Sequence, residues 1–144
     1  MRLSGANKTM EKKMPETRAP DAARSAETAR IRDAMLQKDF YLMHRRPLDP
    51  AKKGEVVLEH FQWLVDLEKR NIIVLTGALF DRDDQQIDGL TLLRAGSFEE
   101  AEAIAATDPF VICGGVSVEI QKWRLGAGRI TLTFDLSDRS ISLA

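Results

Sequence analysis

From residue 39 onward the apolar positions follow two periods, and each switch between them marks the boundary of an element. In Phe40 to Arg46, Phe40, Leu42 and the aliphatic part of Arg46 fall on one side, with Tyr41 and Met43 on the other, which predicts a strand. Pro47, Asp49 and Pro50 break it. Lys53 to Arg70 then places Val57, Phe61, Leu64 and Glu68 on one helical face and Val56, His60, Trp63 and Leu67 on its neighbour. Together these make a broad apolar surface with His60 inside it, opposite a wet side of Glu55, Glu59, Asp66 and Lys69. The spacing predicts one long helix, closed near Lys69, Arg70 and Asn71. Ile72 to Phe80 is a nearly continuous apolar run rich in β-branched residues, which predicts a central strand. Gly77 inside it suggests a bulge or a close approach by another group. Asp81 to Asp88 reads as a polar connection, and Gly89 to Ala95 as a second strand antiparallel to the first.

Ser97 to Phe110 returns to the helical period. Ser97 is an N-cap type, Glu99 and Glu100 suit the positive end of the helix dipole, and Ser97 with Glu100 has capping-box spacing. Phe98, Ala101 and Ala105 are expected to face the core. Pro109 disfavours helix at Asp108, so the helix ends at a corner that carries a carboxylate and then a large apolar anchor, Phe110. Val111 to Val116 is read as a small apolar link through Gly114 and Gly115. Ser117 to Trp123 alternates as a strand, with Val118, Ile120 and Lys122 sharing one face. After a turn at Gly126 and Gly128, Arg129 to Leu136 alternates cleanly, with Ile130, Leu132, Phe134 and Leu136 on one face. It is expected to be a half-buried antiparallel strand. The order β-α-β-β-α-β plus a terminal strand is that of an α+β, ferredoxin-like split βαβ fold with helices on one sheet face. The open sheet face needs a cover, and a second copy of the chain is the economical one.

Composition adds limits. The chain of 144 residues is long enough for one domain with a real core, and 44% hydrophobic with 30% charged residues is ordinary for a soluble globular protein. No apolar run approaches the roughly 18 residues that span a bilayer, and the N-terminus lacks the apolar stretch of a secretory signal. The single cysteine, Cys113, leaves no internal disulfide, fits a cytoplasmic setting and excludes a zinc site of several thiolates. Beside Gly114, Cys113 reads as a small packed residue rather than a nucleophile. Residues 1–38 carry nine Lys and Arg against five Asp and Glu; residues 39–144 carry twelve against seventeen. The basic segment has almost no large aliphatics, so it is expected to be a flexible or loosely helical extension, with Asp21 capping a helix over Asp21 to Leu36. The rest, 39–144, is taken as the folded domain. Met10, Met14 and Met35 are alternative starts, so the true start could lie later. Mixed signs and the absence of aromatic residues in the extension argue against a nucleic-acid partner.

Several residue groups invite a site and fail the spacing. Asp81, Asp83, Asp84 and Asp88 lack the glycine and terminal acid of a calcium loop and read as a solvated hairpin connection. The glycine pairs at 114–115 and 126–128 are too short for a dinucleotide or phosphate loop. His44, next to Arg45 and Arg46, is either an inward pocket group that binds an anion with Arg45 or a strand-end surface residue. Two histidines with Asp108 have the ligand types of a metal site, but no spacing requires one, and no metal is expected.

His60 within the first helix, Gly77 late in the second strand, Asp108-Pro109-Phe110, Gly114-Gly115 and a strand ending at Trp123 occur in one order. In that order the chain from about Phe40 to Trp123 resembles the YCII-related family of dimeric α+β barrel proteins. The basic extension and the strand from Arg129 lie outside that pattern. The resemblance implies a homodimer and a pocket between sheet and helices, with His60 and Asp108 as a catalytic pair. It also implies a fold similar to that of muconolactone isomerases and of a dehydrochlorinase of chlorinated hydroxyhydroquinone. On that analogy the chemistry is cofactor-free, of isomerase or lyase type, on a small aromatic or enol-lactone compound. A carboxylate on one imidazole nitrogen would make the other a general base near neutral pH. Arg45, Trp63, Gly77 and Phe110 are the residues expected to line the substrate. The plain alternative is that His60 is a satisfied core histidine and Asp108 caps the turn at Pro109. Three readings stay open: such an enzyme, a small-molecule-binding or regulatory module without catalysis, and a structural dimer that meets partners through its extension.

Overall fold

The structure is a computed structural model and describes residues 21–138 and 140–143. In chain order its elements are α1 (Ala22–Asp33), β1 (Lys38–Pro47), α2 (Pro50–Glu55), α3 (Val57–Lys69), β2 (Ile73–Phe80), β3 (Gln86–Leu93), α4 (Phe98–Ala105), α5 (Pro109–Ile112), β4 (Val116–Leu125), β5 (Leu132–Asp135) and β6 (Ser140–Leu143). The chain divides into two compact units, Met1–Ala34 and Met35–Ala144. In the first, Asp21 caps α1 by accepting a hydrogen bond from the Ala23 amide, and no residue of α1 is buried. The expected flexibility of residues 1–20 falls outside the described residues.

The second unit is organised on β1. It pairs antiparallel with β3 on one side and β4 on the other, and β2 pairs with β3, so the sheet runs β2-β3-β1-β4. This is the ferredoxin-like α+β topology. Because strand side chains alternate, Tyr41, Met43 and Arg45 share one face of β1 and Phe40, Leu42 and His44 the other. Tyr41 and Met43 pack with Leu67, Ile73, Leu93, Ala101 and Ala105 into the core between sheet and helices. Met43 and Leu93 are wholly buried, each contributing about 1.5–3 kcal/mol over an exposed side chain. The opposite face carries Leu42, Leu75, Leu79, Leu90, Leu92 and Trp123 around a shallow depression, with Leu75 64% exposed.

Four expectations are corrected. The predicted helix from Lys53 to Arg70 is two helices that meet at Val56, whose φ of −125° and ψ of 24° leave the helical region. Gly54 weakens the first helix, and two stiff β-branched residues follow at Val56 and Val57. The register shifts of β2 lie between Ile73 and Leu75 and between Leu79 and Phe80, rather than at Gly77. The link after Asp108 is helical, since Asp108 caps the short α5. The C-terminal strand forms and is antiparallel, but its partner is β6 in a separate two-stranded sheet. There Ile130, Leu132, Phe134 and Leu136 are exposed rather than half-buried.

Caps follow the sequence closely. Ser97 Oγ accepts from the Glu100 amide at 3.1 Å, and the Glu100 carboxylate reaches back to the Gly96 amide at 2.6 Å, one residue beyond the usual capping-box partner. In the β2–β3 connection, Asp81 Oδ1 accepts from the amides of Asp83 and Gln85, so this carboxylate holds its own turn.

Candidate functional site

Asp108 is the centre of a buried polar cluster. It enters the interior as the residue between α4 and α5, where the Phe110 amide donates to its Oδ1 at 2.9 Å. His60 Nδ1 lies 2.7 Å from the same oxygen. Arg45 Nε donates to Oδ2 at 2.7 Å. The carboxylate therefore caps the helix and binds the histidine at once. Asp108 has no exposed surface, and the Arg45 and His60 side chains are 6% and 7% exposed. Burial is the largest single influence on the Asp108 carboxyl and pushes its pKa up. The His60 hydrogen bond, the Arg45 charge and the Phe110 amide outweigh burial and hold it below the usual value. Burial draws the Arg45 guanidinium down against the pull of Asp108, yet an arginine stays charged in a folded protein.

Two threonines extend the cluster to the sheet. Arg45 Nη2 donates to Thr91 Oγ1 at 2.6 Å, and Thr91 meets Thr76 Oγ1 at 2.7 Å. Thr91 is wholly buried. Its register position opposite Met43 on β1 puts it on the helix-covered face, where a hydroxyl must find a partner. Sequence reasoning passed over both threonines. The available signal was a polar residue at the centre of the apolar strand Gly89 to Ala95.

His60 is held from the side as well. Its ring stacks on Phe110 at 3.8 Å between centroids with 10° between planes. Nδ1 is bound to Asp108, and Nε2 has no hydrogen-bond partner among the described residues. His60, Arg45, Gly77 and Phe110 all line one cavity of about 370 Å³, a size that suits a small ligand. Helix residues Lys53, Val57, Phe61 and Leu64 form one wall, and Thr76, Ala78, Gln86 and Asp88 of the hairpin form the other. Gly89 keeps that second wall open, since a Cβ there would stand 3.4 Å from Arg45 Nη1.

Trp63 is not on this wall. Its indole nitrogen donates to Thr107 Oγ1 at 2.9 Å, and its ring stacks at 5.9 Å from His60. His44 neither joins Arg45 nor stands free. It lies on the opposite face of β1, and its Nε2 is 2.6 Å from Asp88 Oδ2, with both side chains about four-fifths buried. Cys113 is half-buried, with Sγ 3.4 Å from the Phe110 carbonyl oxygen. Among the described residues no group of three His, Cys, Asp or Glu could hold a metal ion, and no helix is long and apolar enough to cross a membrane.

A ferredoxin-like α+β domain with a cavity between sheet and helices, backed by a buried Arg-Asp-His cluster, is the class that this fold and site define. The chain belongs to the YCII-related domain family, whose family model matches residues 39–124, more than half of its length. No curated protein matches it. Among solved structures it is similar to 5-chloro-2-hydroxyhydroquinone dehydrochlorinase (TftG) from Burkholderia phenoliruptrix, in complex with 2,5-dihydroxybenzoquinone. The identity is 17%, the match covers 58% of this chain and 92% of the other, and the TM-score is 0.49. A likeness at that level carries no argument about the reaction.

Proposed function

We propose that the cavity binds a small molecule and that His60, oriented by Asp108, acts on it as a general base in cofactor-free chemistry of isomerase or lyase type. The observation that carries this reading is the division of the His60 ring. Nδ1 is 2.7 Å from a buried carboxylate, and Nε2 is the nitrogen left for a ligand in the cavity that the ring lines. With Nδ1–H donated to Asp108, the lone pair is on Nε2. Nε2 takes a proton from a carbon beside a carbonyl or enol, and Asp108 stabilises the imidazolium that results. Return of that proton to another carbon gives an isomerisation. Loss of a leaving group from the neighbouring carbon gives an elimination. The family resemblance supports a small aromatic or enol-lactone compound as the substrate class, with Arg45, Gly77 and Phe110 around it. The resemblance also supports a cytoplasmic homodimer, and the apolar face around Leu75 and Trp123 is the surface for it. Sedimentation velocity at micromolar concentration reads this directly, and a monomer would remove it.

The second reading is a binding or regulatory module. It is favoured by the Arg45 ion pair, which gives Asp108 a purely structural reason to be buried. A thermal-shift screen of small phenolic, lactone and dicarboxylic compounds, followed by turnover assays, separates the two. For the enzyme, His60→Ala keeps the fold and lowers turnover by about a hundredfold or more. Stabilisation by a ligand that is never converted supports the module. A screen with no hit dependent on His60 removes both.

A further inference from the structure

Lys53 stands apart from the other cations of the cavity. It lines the cavity and is half-buried, and its Nζ is 5.5 Å from the centroid of the Phe110 ring on which His60 stacks. Among the described residues it pairs with no carboxylate. Its neighbour Lys52 is exposed and lies 3.9 Å from Asp49. The position of Lys53 is built rather than incidental. The amides of Leu48 and Asp49 both donate to the Gly115 carbonyl, at 2.9 and 3.1 Å, which clamps the start of α2 to the α5–β4 corner. Gly115 permits that approach, since a Cβ there would stand 3.0 Å from the Lys53 amide nitrogen.

The other charges of the cavity are matched. Arg45 is engaged by Asp108 and Thr91, and Asp88 by His44. The helix wall thus keeps one unmatched positive charge. The Lys53 ammonium has the face of an aromatic ring beside it and no counter-ion among the described residues. An anionic oxygen on a ligand supplies that counter-ion.

We propose that Lys53 anchors the ligand of this cavity through one anionic oxygen, a carboxylate or an ionised enol, on a flat apolar body. The inference rests on the small-molecule reading above and is independent of whether catalysis occurs. The anionic oxygen lies at Lys53, beside the Phe110 ring. The apolar body extends past Val57, Phe61 and Leu64 towards His60.

The test is titration of the full chain, 15N-labelled and followed by NMR. The probes are 4-hydroxybenzoate for a carboxylate, cyclohexane-1,3-dione for an ionised enol and 4-hydroxybenzamide as the neutral comparator. At least one monoanion is expected to shift the His60 and Phe110 signals and to bind more tightly than the amide. Lys53→Met should weaken that monoanion by about tenfold and leave the amide unchanged, the size of one charge-assisted hydrogen bond. Lys53→Arg should restore most of the loss, and Lys52→Met should behave as wild type. Whichever monoanion responds to Lys53 identifies the anionic group. If the amide binds as tightly as both monoanions, or Lys53→Met leaves them unchanged, the charge inference falls and the pocket reading stands. If no probe moves the His60 or Phe110 signals, both readings fall together.

Discussion

Replacing Asp108 by Asn keeps the shape of the side chain, removes its charge and leaves one of its three partners facing the wrong group. With the amide oxygen turned to His60 and the Phe110 amide, both bonds to Oδ1 survive. The amide NH2 then points at Arg45 Nε–H, donor against donor, where Oδ2 accepted at 2.7 Å. Arg45 is left with Thr91 Oγ1 as its only named acceptor, at 2.6 Å, in a site where its side chain is 6% exposed. Removing one partner of a buried pair costs about 3–5 kcal/mol, and the two surviving bonds place Asp108→Asn near 3. The opposite half-deletion is milder. In Arg45→Met, Asp108 keeps the Phe110 amide and His60 as hydrogen-bond partners. The cost is that of a lost hydrogen bond to a charged group, about 1–2 kcal/mol. Asp108→Asn should therefore be the worse single change, and the double variant should fall short of the sum by about 1 kcal/mol or more. Urea unfolding at pH 7 and fixed protein concentration reads this as a midpoint lowered by roughly 1–3 M in Asp108→Asn with the slope unchanged. A cost below about 1 kcal/mol, or a larger one in Arg45→Met, would refute the account of Arg45 as the partner with fewer alternatives.

Two further outcomes follow from the same geometry. The Asp108 pKa is lowered in the folded state, so the unfolded chain binds more protons there, and the stability it contributes is complete above the unfolded value near 4 and lost as pH falls through the folded one. Urea midpoints measured from pH 7 to pH 3 should thus fall more steeply for wild type than for Asp108→Asn, Asp39 and Glu119 contributing equally to both. Gly115→Ala puts a Cβ 3.0 and 3.1 Å from the Lys53 amide nitrogen and Cα, backbone atoms that the Leu48 and Asp49 hydrogen bonds hold in place. It should cost about 1–3 kcal/mol by thermal melt and weaken whichever monoanion depends on Lys53. A melt unchanged from wild type would mean that α2 is not clamped there.

Much of the fold was legible because periods of two and 3.6 report which face is buried, and burial is what strands and helices share out. Phe40 to Arg46, the Ile72 strand and the Ser97 cap occupy the elements their patterns predict, whereas the Gly89 strand starts earlier, at Gln86 within the expected polar connection, and ends at Leu93. The same rule misled at Arg129 to Leu136. Clean alternation there reports a strand, but its apolar face meets nothing, because β5 pairs with β6 instead of joining the sheet. Periodicity also missed the break at Val56, where the apolar face continues although the backbone bends.

The linear sequence by itself determined that a carboxylate stands at a helix corner at Asp108 and that an apolar helix carries His60. Pro109 and the 3.6-residue spacing are local causes, and local causes are visible in one dimension. Only the tertiary structure decided how the oxygens of Asp108 are shared, because the three groups that bind them come from β1, α3 and α5. No spacing along the chain relates Arg45, His60 and Asp108, which meet through the β1 register and the packing of α3 and α5 on the sheet. The same holds for Lys53, whose place in the cavity depends on a glycine 62 residues away that lets two backbones touch. Side chains of one type, such as Lys52 and Lys53, are equivalent in the sequence and are separated by the surface each one meets after folding.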